Sequence, residues 1–189
     1  RPYDIWAPLT DKLPKFDYNN AIGTIANGMS PLGDAYAATL RQGCLEDRWV
    51  DYAQNQGKSQ GAFSYGTYDT HPCILTSFDG SITELSTLAH ELGHSMHSYL
   101  SSKSQPYVYS DYSIFVAEVA SNLNQAMVRE SLFESNDDRD FQLAVIQEAM
   151  DNIHRYFFIM PTLARFEYGV FEKLKAGDPI NADVLQEMM

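Results

Sequence analysis

Apolar residues recur at helical spacing through most of the chain, and they predict a mainly α-helical protein. Capping residues and breakers such as Gly28 and Pro31 give approximate bounds for each segment. Pro161 should kink or break the last long segment, because proline cannot donate the backbone hydrogen bond of a helix interior. The predicted helices cover about 17–27, 31–49, 82–101, 113–133 and 138–175, and a short capped helix begins at Asn181.

Two short segments are typical of β-strands. Residues 62–66 and 73–78 flank a turn that contains His71 and Pro72. We therefore expect one domain over residues 1–189, mainly α, with a small β-hairpin or sheet. Because the sequence stops about two turns after Asn181, we also expect this domain to be incomplete, with its C-terminal part missing.

The composition is that of a globular protein with an acidic surface. Hydrophobic residues make up 44% of the chain, and the formal net charge is -12. A nucleic-acid partner is excluded by this charge, since binding needs lysine and arginine to replace phosphate counterions. The apolar runs are too short to span a bilayer, so we expect no membrane segment and a cytoplasmic location. Cys44 and Cys73 are predicted to be small core residues, although they could form one disulfide.

The segment from His90 to His94 carries the motif His-Glu-Leu-Gly-His. Histidines four residues apart on a helix lie on one face, close enough to bind one ion. The apolar residues of this helix fall on the opposite face and should be buried: Leu85, Leu88, Leu92, Met96 and Tyr99. The alternative is a pair of surface histidines on an ordinary amphipathic helix.

Glu118 is the expected third ligand, because a catalytic zinc site uses three protein ligands and keeps a fourth position open. It lies among apolar residues, where a carboxylate needs a counter-charge. A salt bridge to Arg129 or Lys103 is the alternative. The apolar stripe of its helix is predicted on the side opposite Glu118 and consists of Val116, Val119, Ala120, Leu123 and Met127.

This donor set predicts a hydrolase, since zinc lowers the pKa of bound water toward about 7 and polarises a carbonyl oxygen. Glu91 is turned about 100° from His90 around the helix, and we assign it as the general base. Three further side chains could orient a ligand or contact substrate, or could simply pack or cap: His97, Ser121 and Asn122.

Five segments, in order, resemble the catalytic region of oligoendopeptidase F, one of the thimet-oligopeptidase-like zinc metallopeptidases; they are residues 47–51, 57–66, 71–75, 87–98 and 115–121. The resemblance implies a zincin-like fold of the neurolysin and oligoendopeptidase kind, a helical catalytic domain with a small sheet beside the active-site helix. It implies one Zn²⁺ per chain, with His90, His94 and Glu118 as ligands and Glu91 as the catalytic residue. Oligopeptides would be the substrates.

In related zinc peptidases the strand beside the active-site helix pairs with the substrate backbone, and the matching residues here are Gly61, Ala62, Phe63 and Ser64. The sequence departs from the family pattern at Gln125, where glutamate is common. The family's oxyanion-stabilising His and Tyr residues are expected beyond Met189. Because a lost oxyanion donor costs roughly 100- to 1,000-fold in rate, we expect the 189-residue chain alone to bind zinc but to cleave peptides slowly.

The expected function is therefore that of a zinc-dependent metalloendopeptidase that hydrolyses short oligopeptides through a metal-activated water. Two alternatives stay open. One is another gluzincin exopeptidase, either a carboxypeptidase or a dipeptidase, and the other is a non-catalytic zinc-stabilised peptide-binding domain. The oligomeric state stays open as well.

Overall fold

The computed structural model describes residues 7–59 and 61–189. The helices are α1 (Tyr18–Gly28), α2 (Asp34–Leu45), α3 (Ile82–Ser104), α4 (Ile114–Ser135), α5 (Arg139–His154), α6 (Met160–Ala176) and α7 (Ala182–Met188). The strands are β1 (Val50–Asp51), β2 (Phe63–Tyr65) and β3 (Cys73–Leu75). The predicted class, mainly α with a small sheet, is confirmed. No helix in this part of the chain is long and apolar enough to cross a membrane.

The described residues group into two compact units, Ala7–Glu148 and Ala149–Met189. The first unit contains the hydrophobic core, whose largest fully buried apolar side chains are Ile22, Ile25, Met29, Leu40, Ile74, Leu85, Leu88, Leu92, Met96 and Val128. In the second unit, α6 and α7 contain no buried residue. One domain over residues 1–189 stays a prediction.

Capping side chains begin several helices where the sequence predicts them. Ser81 Oγ accepts a hydrogen bond from the Glu84 backbone N–H at 3.1 Å at the start of α3. Asp17 caps α1, and Asn181 caps α7. These bonds satisfy N–H groups that have no partner inside the helix.

The segment predicted as one helix over 31–49 is helical only over Asp34–Leu45, so the prediction is wrong at both of its ends. Pro31 lies in a 3₁₀ turn, and α2 begins only after Gly33, whose φ of 98° does not fit a helix. The helix ends at Leu45. Arg48, with a φ of 58°, then redirects the chain into β1, which begins directly after the segment predicted as helix.

The sheet has the strand order β1-β3-β2. β1 pairs parallel with β3, and β2 pairs antiparallel with it, so that Val50 and Ser64 both lie opposite Ile74. The predicted hairpin of β2 and β3 is confirmed. As an edge strand of the described sheet, β2 has one side on which its backbone groups pair with no other strand.

Alternation along β3 decides the position of one cysteine. Ile74 is buried, and Cys73 beside it points to the other face and is exposed. Cys44 is buried, and both thiols are free. The prediction of two core cysteines is therefore correct for Cys44 and wrong for Cys73.

The kink or break predicted at Pro161 takes the form of a local change in helix type. Residues Arg155–Ile159 form a π-helical stretch before α6, in which the Met160 N–H donates to the Arg155 carbonyl. Pro161 then lies in the first turn of α6, where a backbone N–H is not needed.

The buried face of α4 is not the predicted one. Val119 and Leu123 are 58% and 49% exposed, whereas Ser121, Asn124 and Gln125 are buried. These polar side chains face inward because each has a hydrogen-bonding partner there, described below for Ser121 and Gln125. An apolar stripe therefore indicates the wrong side of this helix.

The backbones of α3 and α4 come into contact at Gly93. A Cβ added to Gly93 would lie 2.6 Å from Ser121 Cα and 2.8 Å from the Ala120 carbonyl oxygen. Both atoms belong to the backbone, so neither can swing away. A glycine is needed here because α4 could not otherwise come this close to the face of α3 that carries the histidines.

We expect Gly93→Ala to lower the free energy of unfolding by about 2 kcal/mol, because overpacking costs roughly 1–3 kcal/mol and exceeds the gain in helix propensity of about 1 kcal/mol. Urea denaturation followed by circular dichroism measures it. Gly23→Ala in α1 is the matched control, since a Cβ there would meet only Arg41 Nη1 at 3.8 Å. Equal stability of Gly93→Ala and the wild type would contradict the close contact.

The two thiols should differ in reactivity. Burial raises the pKa of the Cys44 thiol to about 12, and only the thiolate reacts with alkylating agents. In the folded chain we expect iodoacetamide to modify Cys73 alone, as counted by peptide mass spectrometry, and to modify Cys44 only after denaturation. Cys73→Ser is the control and should stay unmodified when folded. Rapid labelling of Cys44 in that variant would show that α2 is not packed as described.

Candidate metal centre and active site

Helix α3 presents His90 and His94 on the same face, as the spacing predicts. Their ring centroids are 4.8 Å apart, and their side chains are only 15% and 17% exposed. Leu85, Leu88 and Leu92 on the opposite face are fully buried. The buried stripe therefore fixes the rotation of the helix, and with it the direction of both imidazoles.

Helix α4 brings Glu118 to these histidines. Its Oε2 lies 3.2 Å from His90 Nε2, and its Oε1 lies 3.8 Å from His94 Nε2. The alternative salt bridges of Glu118 are not formed, because Arg129 pairs with Glu148 and Lys103 donates to Tyr99.

The three side chains fit a divalent cation. One ligand atom from each of His90, His94 and Glu118 lies within 4.8 Å of the others, and no other such group of His, Cys, Asp and Glu occurs in the described part of the chain. Hydrogen bonds hold the outer side of each imidazole: His90 Nδ1 contacts Gln125 Oε1 at 3.1 Å, and His94 bonds to the Ala117 backbone. Both Nε2 atoms are thereby directed towards Glu118.

Glu91 lies on α3 next to this group but is 7% exposed. Burial, and secondly the charge of Glu118, raise the pKa of Glu91 to about 7, while a hydrogen bond from the Ser64 backbone opposes the rise. A carboxyl group with a pKa near neutrality can both accept and return a proton.

Strand β2 is attached to α3 beside these residues. Ser64 Oγ and Ser95 Oγ are 2.7 Å apart, and the Ser64 backbone contacts the Glu91 carboxylate. A Cβ at Gly66 would lie 2.4 Å from Ser98 Cβ, which shows how closely the strand approaches the helix. Of the predicted substrate-contacting residues, Phe63 and Ser64 lie in β2, and Gly61 and Ala62 precede it.

The three side chains predicted to orient a ligand or contact substrate have different positions. Ser121 Oγ donates to Glu118 Oε2 at 2.9 Å and so contacts the carboxylate itself. Asn122 Nδ2 donates to the Glu118 backbone carbonyl at 2.7 Å, which holds the helix rather than the carboxylate. His97 stacks on Tyr112 with ring centroids 3.8 Å apart, and burial lowers its pKa.

Gln125 and Ser86 are site residues that the sequence analysis misses. Gln125 contacts His90, and its Nε2 donates to Ser86 Oγ at 2.8 Å. Gln125 is seven residues after Glu118, so helical spacing could have placed it on the same face as that ligand. Nothing in the sequence pattern distinguishes Ser86 from the other serines of α3.

A cavity of about 690 Å³ adjoins His94 and the end of β2. Its wall combines backbone and hydroxyl groups with several aromatic rings, among them Tyr65, Tyr68, Tyr107 and Tyr112. A space of this size and lining suits an organic side chain with both apolar and polar parts.

The family model for peptidase family M3 matches residues 14–189. The chain belongs to peptidase family M3. Members of this family are metallopeptidases, so the family agrees with a metal at the His90, His94 and Glu118 group.

Relatives confirm the resemblance to oligoendopeptidase F. The chain is 40% identical over 184 residues to oligopeptidase PepF of Bacillus subtilis, covering 97% of this chain and 27% of that one. It is 38% identical over 187 residues to an oligoendopeptidase F homolog of Borreliella burgdorferi, covering 98% of this chain and 32% of that one. The chain thus spans only 27% and 32% of the length of these two M3 relatives.

Solved structures agree with the fold. A protein from Chlamydophila abortus superposes with a TM-score of 0.77 at 36% identity, covering 98% of this chain and 31% of that one. PZ peptidase A superposes with a TM-score of 0.65 at 20% identity, covering 84% of this chain and 28% of that one. The zincin-like, mainly helical fold expected from the resemblance is therefore confirmed.

We expect the purified M3 chain to contain about one metal ion, and His90→Ala to lose it, because removal of one of three ligands leaves two. Elemental mass spectrometry after gel filtration measures the content. His71→Ala is the matched control, since His71 lies outside the group and contacts the Pro72 carbonyl. Equal metal content in His90→Ala and the wild type would place the metal elsewhere.

Proposed function

We propose that this chain forms the zinc centre of an endopeptidase that hydrolyses oligopeptides. The observation that carries the proposal is the convergence of His90, His94 and Glu118 beside the buried carboxyl of Glu91. Membership of peptidase family M3 supports the same conclusion.

Zinc is the metal that this donor set favours. Two imidazole nitrogens and one carboxylate oxygen are the protein ligands of a common class of catalytic zinc sites, in which the fourth position stays open. When bound, zinc supplies Lewis-acid polarisation of a carbonyl and increases the acidity of water. The described residues need only hold the ligands rigidly, which Gln125, Ala117 and Ser121 do through hydrogen bonds.

Glu91 moves the proton. As general base its carboxylate accepts a proton from the attacking water, and as general acid it passes that proton to the leaving nitrogen. Its burial suits this role, since a pKa of about 7 lies close to the pH at which both forms are needed. Glu91 shares the helix with both histidines, so the proton carrier and two ligands keep a fixed spacing.

The peptide is proposed to bind as an added strand along the open edge of β2. Phe63 and Tyr65 are 56% and 69% exposed, while Ser64 between them is attached to α3. An extended backbone paired with β2 would run past Glu91, with the cavity beside His94 available for one side chain. The names of the relatives, oligopeptidase and oligoendopeptidase, support short peptides cut at internal bonds.

We expect Glu91→Gln to reduce peptide hydrolysis by about 100- to 10,000-fold, because loss of a general base has this effect, while the metal content stays unchanged. The substrate is a fluorogenic peptide with acetylated and amidated ends, and mass spectrometry identifies the products. Glu84→Gln is the matched control, since Glu84 lies on the same helix and accepts from Thr76 Oγ1 instead.

Two results would contradict the proposal. A peptidase that cuts only uncapped peptides is an exopeptidase. A wild-type chain that binds zinc and the capped peptide without any hydrolysis is a peptide-binding domain.

A further inference from the structure

A continuous hydrogen-bonded chain leads from His90 into the interior of the first unit. His90 Nδ1 contacts Gln125 Oε1 at 3.1 Å, and Gln125 Nε2 donates to Ser86 Oγ at 2.8 Å. Ser86 Oγ donates to Glu148 Oε1 at 2.6 Å. Arg129 forms an ion pair with Glu148, and its Nη2 donates to Oε1 at 3.1 Å. Three helices contribute to this chain, with Ser86 on α3, Gln125 on α4 and Glu148 on α5.

The three middle members are buried. Gln125, Ser86 and Glu148 are 6%, 5% and 6% exposed. Water cannot readily replace a partner at such positions, and an unsatisfied polar group there is costly. The donor and the acceptor in each of these hydrogen bonds are therefore determined by the side chains themselves.

The direction of these hydrogen bonds is determined from the Glu148 end. The guanidinium of Arg129 can only donate, so both oxygens of the Glu148 carboxylate accept from it, and the Ser86 hydroxyl donates to the same carboxylate. Ser86 Oγ is then free to accept, and it receives the NH₂ group of Gln125. The Gln125 amide is thereby oriented with its carbonyl oxygen towards His90. This oxygen can only accept, so it can bond only to an N–H of the His90 ring.

Two acceptors compete for the single proton of a neutral His90 ring. Gln125 Oε1 faces Nδ1, and Glu118 Oε2 lies 3.2 Å from Nε2. With the proton on Nε2, the ring would donate to Glu118 and present no lone pair there. With the proton on Nδ1, Nε2 is a free ligand atom. Ser121 also donates to Glu118 Oε2, which reduces the capacity of that oxygen to accept another proton.

We infer that Gln125 is a positioning residue that holds His90 in the tautomer protonated on Nδ1, and that the Glu148–Arg129 ion pair, two hydrogen bonds farther away, fixes the orientation of Gln125. The role of this tautomer in metal binding rests on the proposed function. The tautomer itself is a property of the metal-free chain. The Glu148–Arg129 ion pair thus influences the proton position on His90, although neither Glu148 nor Arg129 contacts that ring.

The tautomer can be measured directly. In the metal-free chain labelled with ¹⁵N-histidine, at a pH where imidazoles are neutral, long-range ¹H–¹⁵N correlation spectra show which ring nitrogen of His90 carries the proton; His90→Ala identifies the signals. We expect the proton on Nδ1 in the wild type and on Nε2 in Gln125→Leu, where Glu118 is the acceptor that remains. A proton on Nε2 in the wild type, or no change in Gln125→Leu, would overturn the inference.

Zinc affinity provides the second measurement, by competition with a chelator at fixed pH. Gln125→Leu should weaken binding by about 10- to 100-fold, as is typical when the hydrogen-bonding partner of a ligand is lost. Gln125→Glu, which keeps an acceptor for Nδ1–H, should restore most of the affinity. A packing role predicts the opposite order, since leucine is tolerated in a buried site better than a second carboxylate near Glu148. Tighter binding by the leucine variant would therefore refute the positioning role.

Glu148→Gln tests whether the Glu148–Arg129 ion pair orients Gln125, and it leaves the contact between Gln125 and His90 unaltered. A glutamine there can donate to Ser86, so the orientation of the Gln125 amide is no longer imposed, and we expect a mixture of the two His90 tautomers. Asn124→Leu is the control, because Asn124 is a buried amide on α4, the helix of Gln125, but it accepts from Tyr36, and its loss should leave the tautomer unchanged. A single Nδ1 tautomer in Glu148→Gln would show that the ion pair does not determine the orientation of Gln125.

A wild type that binds no zinc would refute the proposed function alone, since the tautomer is measured in the metal-free chain.

Discussion

The candidate metal centre depends on the contact between the backbones of α3 and α4 at Gly93. Two of the proposed ligands lie on one helix and the third on the other, so the distance between the helices determines whether three donor atoms can reach one ion. A side chain at position 93 would separate the helices, because the nearest atoms opposite belong to the backbone of Ala120 and Ser121. The motif at residues 90–94 thus contains both of the proposed histidine ligands and the glycine that lets the third proposed ligand, Glu118, approach.

A second constraint links peptide binding to proton transfer. Ser64 lies in the edge strand, and its backbone N–H and hydroxyl group bond to Glu91 and Ser95 of α3. The strand that is proposed to bind the peptide and the carboxylate that is proposed to move the proton are therefore parts of one local arrangement. Glu91 is also buried, with 7% of its surface exposed.

The sequence predicts the elements of this site better than its surroundings. The stripe of Leu85, Leu88 and Leu92 fixes the direction of the two histidines, because these three leucines are fully buried on the opposite face of α3. The same reasoning fails for α4, whose inward face carries Ser121 and Gln125, since periodicity of hydrophobic residues cannot recognise a helix that buries polar groups with partners. β1 is missed because two residues are too short to show alternation. Glu148 could not be connected with His90, as the two are joined only through side chains of other helices.

The directed chain from Glu148 to His90 also has a consequence for how this sequence can drift over evolutionary time. Ser86 and Gln125 each accept on one side and donate on the other, so the direction of one hydrogen bond dictates that of the next. A substitution at Ser86 that removes its hydroxyl would disconnect Gln125 from the ion pair even if the packing were preserved. Positions 86, 125, 129 and 148 are therefore expected to change together among homologues. An exchange between acid and amide at position 125 should be accompanied by a compensating exchange at position 148.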